Sequence, residues 1–134
     1  MSCALIQVVN QSTQDVAEGG VINPGSIVRR YGQCFNLAGD AVTCIGTGYF
    51  AFDAAVTVSP TAIGNVTVQA YENGNPIPGA IASGYAATAE TPVTLPIVAT
   101  LRKACACGGM SSITFMLTEG AGSVTNVSVR GEKA

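Results

Sequence analysis

Of 134 residues, 48% are hydrophobic and only 10% are charged, with six Lys plus Arg against eight Asp plus Glu for a net charge of -2. This balance excludes a basic nucleic-acid track and a polybasic membrane patch, and the apolar content excludes charge-driven disorder. Histidine is absent, which removes the commonest general base and the commonest metal ligand. A lone molecule with so few charges lacks solubilising groups, so an obligate assembly of single-domain chains (residues 1–134) is expected.

At the N-terminus no Lys or Arg precedes a short apolar stretch that Gln7 interrupts, so no secretory signal is read and synthesis in a cytoplasm is expected. No apolar run approaches the ~20 residues that span a bilayer as a helix. Turn signals follow at Glu18-Gly19-Gly20, Asn23-Pro24-Gly25, Ala38-Gly39-Asp40 and Gly46-Thr47-Gly48. Period-two alternation then dominates. Phe50, Phe52, Ala54, Val56 and Val58 share one face of a predicted strand, with Tyr49, Ala51, Asp53, Ala55 and Thr57 on the other. Val66, Val68 and Ala70 alternate with Thr67, Gln69 and Tyr71. Asn73-Gly74 then predicts a tight hairpin to the segment at Ile77. Val93, Leu95, Ile97, Ala99 and Leu101 alternate across Pro96, Val98 and Thr100, and Pro96 marks an edge position or bulge. Ile113, Phe115 and Leu117, then Val127 and Val129, complete the series. Many short strands with regular punctuation and no amphipathic helix predict an all-β sandwich or barrel.

Chemistry-bearing residues are few. Cys34 and Cys44 flank a compact turn and face each other if the hairpin centres on Gly39, and Cys105 and Cys107 place two thiols on one side of a strand end. Three readings stay open for Cys34, Cys44, Cys105 and Cys107: small buried hydrophobes, disulfides formed outside a reducing cytoplasm, or a cysteine-only zinc site. The zinc spacing C-x2-4-C is met by neither pair, and Cys3 is left over. Serine or cysteine nucleophiles lack a histidine base, and no Gly-x-Ser-x-Gly elbow is present. Asp40, Asp53, Glu72 and Glu90 read as exposed acids. Arg29-Arg30 and Arg102-Lys103 read as solvated or cross-subunit pairs. No enzyme, cofactor or metal is expected.

The stretch Gly48-Tyr49-Phe50-Ala51-Phe52, the alternating Val66-Thr67-Val68-Gln69-Ala70-Tyr71 and the Asn73-Gly74 hairpin together resemble the middle of a C1q/TNF-like jelly roll. The later Val93-Leu95-Ile97 run and the short closing strands fit that family's order. The chain is similar to the C-terminal globular domains of spore-surface collagen-like proteins, and closer still to short stand-alone bacteriophage proteins of this type. It lacks a collagen stalk and the aromatic closing strand typical of C1q domains. The resemblance implies an antiparallel jelly-roll sandwich that packs as a homotrimer about a three-fold axis. The half-apolar second face bearing Tyr49, Ala51 and Ala55 suits subunit packing. Family members sometimes bind calcium, but no acid-rich loop here supports a ligand. The implied role is a non-enzymatic virion protein (capsid decoration, head fibre or tail-appendage knob) whose partners are its own copies and other virion proteins, with no nucleic acid and no membrane. The alternatives are a glycan- or receptor-binding head using Tyr31, Tyr71 or Tyr85, and a spore-surface (exosporium) protein.

Overall fold

A computed structural model describes residues 4–103 and 111–133, and among these the chain forms strands and turns with no helix. Strands are numbered in chain order. One antiparallel sheet holds β1 (Ala4–Asn10), β4 (Ser26–Tyr31), β7 (Gly48–Pro60), β10 (Val93–Lys103) and β12 (Gly122–Lys133). Its order is β10-β7-β12-β1-β4, with the short β2 (Gln14–Val16) added to β12. The other holds β5 (Phe35–Ala38), β6 (Ala41–Cys44), β8 (Gly64–Glu72), β9 (Asn75–Ala86) and β11 (Ser111–Glu119). Here the order is β5-β6-β11-β8-β9, and β3 (Gly20–Ile22) joins β11. Among the described residues, only β5–β6 and β8–β9 pair as sequence-adjacent hairpins. From β9 onward each strand enters the opposite sheet, so most pairing is long-range.

Alternation explains why the sheets stack. Phe50, Phe52, Val56 and Val58 of β7, Leu95 and Ile97 of β10 and Val127 and Val129 of β12 point inward and are buried. Val66, Val68, Ala70, Ile113, Phe115 and Leu117 meet them from the second sheet in one continuous cluster. This is a two-sheet core built from every second residue. Phe35 of β5 crosses the gap and lies edge-on to Phe50 (5.6 Å, 88°) and to Phe52 (5.9 Å, 86°), a favoured ring geometry that ties the two sheets together. Pro96 sits on β10, an edge strand that among the described residues pairs only with β7, where a missing N–H leaves no gap in a central ladder.

The Asn23-Pro24-Gly25 turn is stitched down. Asn10 Nδ2 and Gln14 Nε2 both donate to Asn23 O (3.0 and 2.8 Å), the Asn23 amide donates to Gln14 Oε1, and the Gly25 amide donates to Asn23 Oδ1. Gly25 has φ +97°, and a Cβ there would lie 2.2 Å from Val9 O. Neither the backbone nor its neighbour can give without breaking this turn. Gly25→Ala is therefore expected to cost about 3 kcal/mol, combining left-handed strain with overlap. The lowered urea midpoint at unchanged m-value measures it.

The β5–β6 hairpin corrects one expectation. Ala38 pairs with Ala41, so the turn centres between Gly39 and Asp40 rather than on Gly39. Cys44 then stands opposite Phe35, and Cys34 lies beside Ile45, whose amide donates to Cys34 O at 2.8 Å. This one-residue offset removes the facing geometry that a Cys34–Cys44 bridge requires. Cys34 is a half-buried free thiol, and Cys44 is buried with its Sγ 3.7 Å from Ser111 O. Cys3, Cys105 and Cys107 lie outside the described residues.

Candidate assembly surface

Tyr49, Ala51 and Ala55 alternate with the inward phenylalanines of β7, which sends all three to the outer face of the first sheet. The ladders place their neighbours. Tyr49 stands opposite Arg102, Ala51 opposite Thr100 and Glu132, and Ala55 opposite Pro96 and Ser128. Between the two alanines, Asp53 lies opposite Val98 on one side and Arg130 on the other. Further across, Glu132 meets Leu5, Ser128 meets Val9, and Leu5 meets Tyr31. The result is a five-strand face on which small and apolar side chains are interspersed with Gln7, Arg29, Asp53, Arg102, Arg130 and Glu132. Tyr49 is 56% exposed and Val98 64% exposed.

The charge in the middle of this face is partly balanced. Arg130 Nη2 lies 3.1 Å from Asp53 Oδ2 and 3.9 Å from Glu132 Oε2, and the side chains of Arg130 and Asp53 are each about half exposed. In water such a pair contributes at most about 1 kcal/mol, since solvent screens it. Arg130 thus stands between two carboxylates, Asp53 and Glu132, and offsets one of their two charges.

The opposite face of the molecule is different. On the second sheet Thr67 is buried, its Oγ1 2.8 Å from Ser83 Oγ and donating to Glu119 Oε1 at 3.0 Å. The Gln69 amide donates to the carbonyls of Ile77 and Ala80 (3.0 and 3.2 Å). Tyr71 and Tyr85 flank opposite ends of β8, beside Pro76 and Asn65, while Tyr31 belongs to the other sheet. The three tyrosines of the glycan-head alternative thus form no shared platform.

Alternation made Tyr49, Ala51 and Ala55 visible in the sequence, but not Leu5, Val9, Tyr31, Pro96 and Val98. The signal for Pro96 and Val98 was available, because both fall on the nominally wet side of their strand. Among the described residues, no group of three or more Cys, Asp and Glu side chains gathers to hold a metal ion.

Two antiparallel sheets in this order define the jelly-roll fold of C1q and TNF-family domains. Solved structures carry the comparison. The globular domain of zebrafish complement 1qA protein superposes with a TM-score of 0.70 at 9% identity, covering 95% of this chain and 94% of that one. Murine APRIL gives 0.74 at 11% identity, with 98% of each chain covered. The phage PRD1 vertex protein P5 gives 0.61 at 9% identity over 99% of this chain and 98% of that one. No protein-family model matches the chain, and no curated protein matches it.

Proposed function

We propose that the chain is a structural, non-enzymatic virion protein that assembles as a homotrimer through the outer face of its first sheet. The observation that carries the reading is that face itself: Tyr49, Ala51, Ala55, Pro96 and Val98 share the outer side of β7 and β10, where Asp53 is paired with Arg130. An exposed surface of this kind marks a protein contact. Its low charge suits a molecule that covers part of its surface with other copies. The virion role draws support from the likeness to PRD1 vertex protein P5, which extends over nearly the whole of both chains. Other virion proteins are then the remaining partners, and the particle is the place of residence.

Light scattering on the purified chain at micromolar concentration tests the assembly, with three times the 13.5 kDa chain mass as the expected result. Co-sedimentation with phage particles tests the residence. A monomer that pellets with no particle overturns both parts of the reading.

A further inference from the structure

We propose that Asn73 is a deamidation site guarded by the fold: the closed β8–β9 turn keeps it as asparagine, and opening of that turn exposes it to conversion into aspartate and isoaspartate. Asn73-Gly74 is the one Asn-Gly pair in the chain, the other asparagines preceding Gln, Pro, Leu or Val. The reaction uses the following backbone nitrogen as its nucleophile. Glycine leaves that nitrogen unhindered for want of a Cβ, whereas β-branched valine crowds it and proline has no N–H to lose. The Gly74 nitrogen bonds to Asn73 Cγ, its proton passes to the side-chain nitrogen, and ammonia leaves. Water then opens the cyclic imide at either carbonyl, giving aspartate or isoaspartate.

In the folded chain this ring closure is barred by geometry. Asn73 takes φ +49° and Gly74 φ +86°. They are the two left-handed residues of a tight loop between Glu72 and Asn75, which pair across the ladder. In the left-handed region ψ lies at about +30 to +60°. For an L residue that sets the Gly74 nitrogen nearly anti to Cβ about the Cα–C bond. A five-membered imide needs the two nearly eclipsed, about half a turn away, and neither a helical nor an extended asparagine starts so far from it. The side chain is tied as well. The Ser112 amide donates to Asn73 Oδ1, and the Asn73 amide donates to Ser112 O, each at 2.9 Å.

Rotation about ψ therefore breaks the turn and the Glu72–Asn75 pairing, and release of Cγ breaks a hydrogen bond to β11. Shielding contributes nothing: Asn73 and Gly74 are exposed, and a Cβ built on Gly74 would meet no atom within 4 Å. The protection is conformational, so the conversion rate follows the fraction of time the hairpin is open. Isoaspartate runs the main chain through Cβ and Cγ and so adds a methylene to a loop of two residues. The tight turn has no place for it, and reclosing does not reverse the change. The inference is independent of the oligomeric state.

The test incubates the full-length protein at one pH and temperature, folded in buffer and unfolded in guanidinium chloride above its midpoint. Peptide mapping by mass spectrometry follows the amide-to-acid conversion, and chromatography separates aspartate from isoaspartate. In the unfolded chain Asn73 should convert before any other asparagine. In the folded chain the same conversion should be at least about tenfold slower, as a reaction routed through local opening must be. On return to buffer, unmodified chains should recover protection of the Ser112 amide against hydrogen exchange, and isoaspartate chains should not. Equal rates in the two states, another asparagine converting first in the unfolded chain, or recovered Ser112 protection in the isoaspartate form overturns the proposal.

Discussion

Ala55→Glu is expected to convert the proposed trimer into single 13.5 kDa chains without unfolding them. Ala55 is half-buried at mid-strand on β7, between Pro96 and Ser128, and its side chain points away from the core. In the separated chain a glutamate there reaches water. Asp53 lies two residues away on the same face, so a small repulsion is added, screened by solvent and offset in part by Arg130. In the proposed trimer the same carboxylate would be enclosed three times over, and Arg130 is already committed to Asp53 at 3.1 Å. An unpaired charge taken out of water costs several kcal/mol, and three of them exceed what a modest interface supplies. Light scattering at micromolar concentration should report one chain mass, with a far-UV circular dichroism spectrum like that of the parent. Asn65→Glu, an exposed position on β8 in the other sheet, should leave the assembly intact. If Ala55→Glu stays assembled, or if Asn65→Glu dissociates equally well, this face is not the contact.

The same alternation that exposes Ala55 made much of the fold readable. On β7, β8, β10 and β11 every second residue is apolar over several turns of the pleat, so strand and buried face are both specified locally. The short β2, β3, β5 and β6 carry no such signal: three or four residues become a strand only because β11, β12 or each other offers a ladder. Cys34 shows how fine the limit is. Its hairpin was visible, but the turn centre was not, and a half-step in register decides which side chains face. The proposed assembly face was readable in Tyr49, Ala51 and Ala55 to the extent that they occupy the outer positions of one strand. Leu5 and Val9 join them only through β12 at the far end of the chain, opposite Glu132 and Ser128, and Tyr31 through Leu5, a relation no local pattern encodes.

The largest effect on stability is expected from Phe52→Ala. Its ring is 1% exposed and meets Phe35 from the second sheet at 5.9 Å, so truncation removes an inter-sheet contact and leaves a cavity in a core that cannot close freely. Such losses cost about 3–5 kcal/mol, a large part of the ~5–15 kcal/mol that holds a domain folded. Tm should fall by roughly 10–20 °C. Gly131 on β12 makes the site a sharper test. A Cβ at Gly131 would lie 2.8 Å from Phe52 Cε1 and 3.2 Å from Ile6 Cγ2, so the glycine is there because the ring lies against it. Gly131→Ala alone should cost about 1–3 kcal/mol by overpacking. With Phe52 already truncated, the overlapping atom is gone and the added methyl group occupies part of the cavity. The double variant should therefore be no less stable than Phe52→Ala alone, a coupling of about 1–3 kcal/mol readable from urea midpoints. Additive losses would mean that Gly131 is required for its backbone rather than for the space it leaves. The packing of β7 on β12 would then tolerate a side chain at Gly131 no better with the ring removed than with it in place.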